Sequence, residues 1–414
     1  MVYLSHMLSD KGMSFSGGHS QGSLSKKDIG IVQKNLRSTL KKGEYENPAS
    51  WVLFPRDRGL LEEAERVVAL ARPKTPQYVI LIGIGGSTLG AQAMISIAQL
   101  DKKSPSYFFL DTVDDKSYRD LEEIIQHIES PDDICFVVVS PSGSTLETTT
   151  NKAVADELFE KRFGESCASR TIVVTKKESE LWKYAEEESS PVVLLPSSTV
   201  SRFGALGPMG IVPLLCGGHD IRALYRGACA VLDTIKEDDM SDAWFARSAS
   251  HILSHIKKGN TIISLFMFPK ILEAFAMWYR QILSESLSKE VGDVRIGVTP
   301  IVSLGSNDLH VMAPRYFDGP RDILTHLFWA SQEDVSDSLS HSRGVLARLY
   351  QAAKDTYVEK ELPFIELRMD ALSVEAMGSL MQGKMIETML IAQALGIDPF
   401  TQPGVDTYKK RLHT

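Results

Sequence analysis

Short unbroken apolar runs alternate with stretches of helical period through the first half of this 414-residue chain. Residues 78–82, 107–110, 134–139, 171–174 and 192–195 are apolar without alternation. Such runs suit strands covered on both faces, as in a parallel sheet. Between them lie segments with one apolar face. Residues 117–128 carry apolar side chains at 121, 124, 125 and 128, and residues 146–163 form a second such segment. Another helix is predicted to run to Leu100, and one more between the last two strands. The second half repeats the idea less regularly. A helix is predicted over 242–256, a strand over 261–268, and a helix over 269–286 with Pro269 in its first turn. Strands follow near 301–304, 322–330 and 364–368, then a strongly apolar helix over 373–395. The alternation predicts an α/β fold of two tandem sandwiches, each with helices on both faces of a mostly parallel, flavodoxin-like sheet. The boundary falls near 215–240. This divides the chain into an N-terminal segment (1–45), a first domain (46–225) and a second domain (226–414). Residues 11–26, rich in Gly, Ser and Lys, are expected to be poorly ordered.

Composition narrows the function. Hydrophobic residues make up 43% and charged residues 24%, enough apolar material for two cores. The net charge of −8 speaks against nucleic acid as the main partner. It leaves phosphorylated small molecules open, because these respond to local donors. Cys135, Cys167, Cys216 and Cys229 are scattered without C-x-x-C spacing, so they are expected to be reduced in a cytosol-like compartment. No apolar run approaches the ~18 residues of a membrane span. No basic-then-apolar leader pattern opens the chain, so no membrane partner and a cytoplasmic location are expected.

Two loops invite an anion. The strand at 134–139 ends in Ser140-Pro-Ser-Gly-Ser-Thr145, and a helix follows. A helix N-terminus presents unpaired N–H groups and a positive dipole end. Ser140, Ser142, Ser144 and Thr145 add hydroxyls, and Gly143 lets the backbone turn. Ordinary N-capping needs one hydroxyl, not four. The loop carries no cation, so a phosphate there is held by neutral donors. Upstream, Gly83-Ile-Gly-Gly-Ser-Thr-Leu-Gly90 follows the first apolar run. With Asp111 about 20 residues on, it partly fits a dinucleotide fingerprint, but Thr88 stands where the third glycine belongs and no P-loop lysine is present. The glycines otherwise bring backbone close to a small ligand, with Ser87 capping the helix, or make a tight packed turn. The carboxyl ends of strands one and three in such a sheet flank the topological switch point, so both loops border one crevice.

Candidate acids and bases lie downstream. Gln281, Glu285 and Lys289 are spaced to share one side of a helix, either as a solvated Glu–Lys pair or as a crevice floor. His310, in Gly305-Ser-Asn-Asp-Leu-His310, has a side chain that titrates near neutrality and is a candidate acid or base. His251 and His255 are spaced i,i+4 but lack a third ligand, so no metal is expected. Arg202, in Ser201-Arg-Phe-Gly204, can either stabilise an oxyanion or pair with a carboxylate.

These motifs occur in the order Gly83-Ile-Gly-Gly-Ser, the 140–147 loop, Ser201-Arg-Phe, Gln281-x3-Glu285-Ser-x2-Lys, Gly305-Ser-Asn-Asp-x-His310 and Gln402-Pro-Gly-Val-x3-Lys409. Together they resemble the glucose-6-phosphate isomerase family over roughly residues 78–412. The resemblance implies two sugar-isomerase (SIS)-type three-layer αβα sandwiches, with the active site between them and near a dimer interface. It implies reversible interconversion of glucose 6-phosphate and fructose 6-phosphate, in glycolysis and gluconeogenesis. Ser140, Ser142 and Thr145, with Ser144 adjacent, correspond to the phosphate contacts, and Gly86 and Ser87 to sugar contacts. Arg202 corresponds to the arginine at the enediolate, Glu285 to the base acting between C1 and C2, and Gln281 to a neighbouring ligand contact. His310, supplied across a homodimer, and Lys409, with Gln402 nearby, correspond to the ring-opening residues. No cofactor is implied. This chain departs from the family pattern at Pro141, where many members have Lys. The stretch after His310 lacks the usual Gln, and Arg315 is a candidate to compensate.

The chemistry is coherent in its own right. Aldose–ketose isomerisation needs a base beside a carbonyl, donors at the developing oxyanion, and acid–base help to open the ring. Two other readings are a non-catalytic sugar-phosphate sensor and an isomerase that also accepts mannose 6-phosphate. A sensor has no use for Glu285, Arg202, His310 and Lys409 together. A nucleotide-binding protein is disfavoured by the glycine spacing.

Overall fold

A computed structural model of the chain describes residues 13–17, 24–72, 74–100, 104–331, 340–405 and 411. The chain forms two compact units, Thr39–Cys229 and Met1–Ser38 with Ala230–Thr414. Twelve strands are described: β1 (Met13–Gly17), β2 (Tyr78–Ile82), β3 (Ser106–Leu110), β4 (Ile134–Val139), β5 (Thr171–Lys176), β6 (Val192–Leu195), β7 (Ile262–Met267), β8 (Lys289–Val291), β9 (Val294–Ile296), β10 (Thr299–Leu304), β11 (Ile323–Ala330) and β12 (Phe364–Met369). No described helix is long and apolar enough to cross a membrane.

In the Thr39–Cys229 unit the sheet order is β3-β2-β4-β5-β6, with every pair parallel. Numbered along this unit the order is 2-1-3-4-5, which reverses between β2 and β4. All six residues of β4 are buried, which its unbroken apolar run requires. Ile80, Ile82, Phe136, Val138 and Val173 face a core closed by Leu121 and Ile125 of helix Asp115–His127, Ala155 and Phe159 of helix Leu146–Phe163, and Leu181 and Ala185 of helix Glu180–Glu187. Phe136 meets Phe159 edge-on, at 5.8 Å between centroids. Helices Arg58–Ala71, Leu89–Ala98 and Pro208–Cys216 cover the opposite face. The four cysteines are free thiols, and Cys135, Cys167 and Cys216 are buried. Burial, and then the Asp156 carboxylate beside it, push the Cys167 thiol up to about 12.

The other unit repeats the order. Its sheet runs β1-β12-β11-β7-β10. The pairs among β7, β10, β11 and β12 are parallel, and β1 is antiparallel to β12. Among the parallel strands the order is again 2-1-3-4. Within the stretch 11–26 expected to be poorly ordered, residues 13–17 form an edge strand. Met-Ser-Phe-Ser alternates with strand period, and pairing with the open edge of β12 satisfies backbone groups that Gly/Ser-rich composition does not reveal. Residues 11–12 and 18–23 of that segment lie outside the described residues, and helix Lys26–Lys42 takes up its end. The helix expected from Pro269 begins instead at Glu273, because Lys270–Leu272 forms a tighter 3₁₀ turn first. A helix over Ser340–Glu359 was not anticipated.

Helix Glu273–Leu287, which carries Gln281 and Glu285, is seated from behind by helix Val374–Leu395. That helix is buried on all sides from Met377 to Ala392, as a helix apolar all round should be. It nevertheless carries Lys384 and Glu387, 1% and 0% exposed and 2.8 Å apart. Tyr279 OH donates a short hydrogen bond to Glu387. The Lys384 ammonium lies 4.8 Å from the Tyr279 ring centroid and 5.5 Å from that of Phe328. His326 stacks beside Tyr279, and its Nε2 has no partner among the described residues.

Burial first, and then the Lys384 charge, hold His326 well below the usual histidine value, so it is neutral in the fold. The unfolded chain then binds one more proton below about pH 6.5, and stability falls as pH drops through that value. Urea denaturation at pH 7.0 and 5.5 should show His326→Phe losing about 1.2 kcal/mol less than the parent chain over that interval. Equal losses would remove His326 from the acid response.

Candidate functional site

The hydroxyl loop follows β4 and precedes helix Leu146–Phe163. Its N-cap is Thr145, and no side chain caps the helix. The hydroxyls turn toward one another instead. Ser140 Oγ donates to Thr145 Oγ1 at 3.4 Å, and Ser142 Oγ and Thr145 Oγ1 lie 3.3 Å apart. Ser140 Oγ accepts from Gly143 N at 3.1 Å, and Ser142 Oγ from Ser144 N at 3.4 Å. These side chains therefore form a donor cluster beside a helix N-terminus, which is the arrangement a phosphate needs. Gly143 has φ +73°, and a Cβ there would meet Leu181 N at 2.7 Å and Ser179 Oγ at 2.9 Å. The loop is also held from the next strand. Thr175 Oγ1 donates to Ser140 O at 2.6 Å and lies 2.8 Å from Ser179 Oγ.

The glycine turn abuts this loop. A Cβ on Gly83 would meet the Val139 carbonyl oxygen, at the end of β4, at 2.9 Å. Gly85 has φ +57°. Gly86 packs against a third segment, since its Cβ would lie 2.6 Å from both Arg202 N and Ser201 C. Only a residue without a side chain permits that approach. Ser87 is buried in the 3₁₀ turn Gly85–Ser87. It is not the helix cap, a position taken by Thr88 without a side-chain hydrogen bond. Arg202 is 2% exposed, with its guanidinium 5.7 Å from the Phe203 ring centroid. Within this one unit, then, Gly86, Ser87, Arg202 and the 140–145 loop cluster at the carboxyl ends of β2 and β4, the switch point of the sheet. Asp111, the acid of a dinucleotide reading, is occupied by Gln92 Nε2 at 2.7 Å.

The second group lies in the other unit. Gln281 Nε2 donates to Glu285 Oε2 at 2.9 Å, and Gln281 Oε1 is buried without a partner among the described residues. Glu285 is half-buried near the end of its helix. Lys289 is not on that helix, which ends at Leu287, but is the first residue of β8. Its ammonium donates to the Glu285 backbone carbonyl at 2.9 Å and to that of Thr401 at 2.5 Å. Sequence reasoning missed this tie. The available signal was a lysine just past a helix C-terminus, where carbonyls lack partners. Gln402, next to Thr401, is thereby held near Glu285. Lys409 lies outside the described residues.

His310 is not brought to this group. It is exposed on helix Gly305–Val311, which starts at the carboxyl end of β10. Helix Glu273–Leu287 starts after the carboxyl end of β7 and leads through the β8–β9 hairpin back to the start of β10. Glu285 is therefore at the amino edge of the sheet. The six-residue β10 separates the two edges by roughly 20 Å at ~3.3 Å per residue. Arg315 is engaged locally with Asp322, at 2.5 Å, and with the Pro320 carbonyl, at 2.8 Å, so it supplies no free charge. His255 is buried beside the Asp322 carbonyl, at 3.3 Å, as an ordinary helix residue.

The phosphoglucose isomerase family model matches residues 71–299. That span includes the glycine turn, the hydroxyl loop, Arg202, Gln281 and Glu285. The chain is 26% identical over 414 residues to the glucose-6-phosphate isomerase of Rubrobacter xylanophilus, covering 94% of each chain. It is 30% identical over 397 residues to that of Thermus thermophilus, covering 92% of each. The crystal structure of a glucose-6-phosphate isomerase from Chlamydia trachomatis has the same fold, with a TM-score of 0.75 at 20% identity over 98% of this chain and 88% of that one. With more than half the chain matched by the family model and a 30% identical relative matched along nearly its whole length, the chain belongs to the phosphoglucose isomerase family.

Proposed function

We propose that this chain interconverts glucose 6-phosphate and fructose 6-phosphate through an enediolate, in glycolysis and gluconeogenesis. The observation that carries this reading is the switch-point cluster. A hydroxyl loop that caps nothing stands beside a helix N-terminus, and a buried arginine is packed on the adjoining Gly86–Ser87 turn. The loop suits a phosphate, and a cation on the neighbouring turn suits an oxyanion. Membership of the phosphoglucose isomerase family supports the same reaction.

The roles follow from the chemistry. Ser140, Ser142 and Thr145, with the N–H groups around Ser144, hold the phosphate. Gly86 and Ser87 contact the sugar. Glu285 takes the proton next to the carbonyl and returns it one carbon away, and the amide of Gln281 fixes its carboxylate. Arg202 offsets the charge that develops on the oxygen. His310, Lys409 and Gln402 serve ring opening. His310 lies at the opposite sheet edge from Glu285 in one copy, which supports a homodimer in which each copy lends His310 to its partner. The setting proposed is the cytoplasm.

Two outcomes test this. Replacing both Ser140 and Thr145 with Ala should raise KM for fructose 6-phosphate at least tenfold with little change in kcat, since the loop grips ground and transition states alike. An unchanged KM would remove the loop from phosphate binding. Glu285→Gln and His310→Ala should each lose about 10²–10⁴ in kcat. Copies of the two variants, mixed under conditions of subunit exchange, should regain about a quarter of the parent rate. Half of the dimers are then mixed, and each mixed dimer has one intact site. No recovery, with subunit exchange verified by mass, would contradict the shared site.

A further inference from the structure

We infer that Lys289 is a positioning residue, clamping the segment that carries Gln402 onto the end of the helix that carries Glu285. This rests on the proposed roles of Glu285 and Gln402 but adds a residue to which no role has been given.

The geometry begins with an unmet need. The last carbonyls of helix Glu273–Leu287 have no donor four residues ahead in the helix. Ser288 N serves the Ser284 carbonyl. The next carbonyl is that of Glu285, and the Lys289 ammonium reaches it at 2.9 Å. A cation there also meets the negative end of the helix dipole. The same nitrogen donates at 2.5 Å to Thr401 O, 112 residues further along the chain. Lys289 is only 9% exposed, so these bonds form with little competition from water.

The segment that Lys289 grips is built as a turn. Phe400 N donates to Asp398 Oδ1 at 2.9 Å, and Val405 N to the Gln402 carbonyl at 3.0 Å. Thr401 is the residue immediately before Gln402. One ammonium thus touches the backbone of the proposed base and the backbone next to a proposed ring-opening contact. The clamp fixes the distance between the two. Shifts of about 1 Å in a reacting geometry cost on the order of 10²-fold in rate. A helix cap alone would influence stability but would not join the two segments.

The test is a double-mutant cycle with a structural readout. Lys289→Met keeps the aliphatic stem and removes the donor. Amide hydrogen exchange should show residues 398–405 losing protection at least tenfold, while β7 and β11 are unchanged. Steady-state assay with fructose 6-phosphate should show kcat falling at least tenfold in Lys289→Met. In a Gln402→Ala background the same replacement should cost less than threefold, because the group it positions is gone. Lys289→Arg should restore most of the protection and the rate. Unchanged exchange over 398–405, or equal losses of kcat in the two backgrounds, would overturn the clamp and leave a helix cap. If Lys289→Met does not fold, Lys289→Gln read by exchange decides the same point. The exchange result holds even for a chain with no isomerase activity, so failure of the clamp and failure of the proposed reaction are distinguishable.

Discussion

Parallel strands whose order reverses cannot keep their following loops together. Where β2 is followed by β3 on one side and β4 on the other, the loops after β2 and β4 turn to opposite faces and leave a gap at the strand ends. The rest of the candidate site depends on that gap. The 140–145 loop and the glycine turn stand on its two sides, and Gly83 is close enough to the Val139 carbonyl that a methyl group would collide. The Ser201–Arg202 backbone fits against Gly86 for the same reason. Backbone approach does the positioning, and it gathers the side chains of Ser140, Ser142, Ser87 and Arg202 at one end of the sheet. The parallel order recurs in the Ala230–Thr414 part of the chain, where the candidate residues sit elsewhere. Glu285 lies at the end of a helix, at the amino edge of the sheet.

The burial around that helix explains how a carboxylate near a helix end can be held steadily. Tyr279, on the same helix as Glu285, is bonded to Glu387, and Glu387 is paired with Lys384 in a fully buried setting. A buried ion pair is weak evidence for stability, because the desolvation cost rivals the Coulomb gain. Removing one partner, however, leaves a buried charge with no compensation. The bond from Tyr279 to Glu387 is what joins the two helices, since Lys384 and Glu387 lie on the same one. Lys289 meets the carbonyl end of the same helix, where a cation faces the negative end of the dipole.

The legible parts of the fold were those where one local signal sufficed. β4 was readable because all of its residues are apolar and all are buried, and Ile134–Val139 falls where that run predicts. Helix Leu146–Phe163 was equally plain. The hydroxyl loop was legible because four hydroxyls exceed what one cap needs, and those of Ser140, Ser142 and Thr145 bond to one another with no side chain capping the helix. What escaped depends on distant partners. β1 becomes a strand only because β12 offers an open edge about 350 residues away. Lys289 reads as a local neighbour of Glu285, and its bond to Thr401, 112 residues on, has no sequence signal. The contact of Gly86 with Arg202 joins residues more than 100 positions apart, and neither glycine spacing nor charge pattern announces it.

The central claim is that a carbon-bound proton is moved between neighbouring carbons by a carboxylate, through an enediolate open to exchange. The most direct measurement is turnover of fructose 6-phosphate in deuterium oxide, followed by proton NMR of the glucose 6-phosphate formed. The account predicts deuterium at C2 of the product, and loss of both turnover and labelling in Glu285→Gln. Turnover with no deuterium at C2, or labelling that persists undiminished without the Glu285 carboxylate, would contradict it.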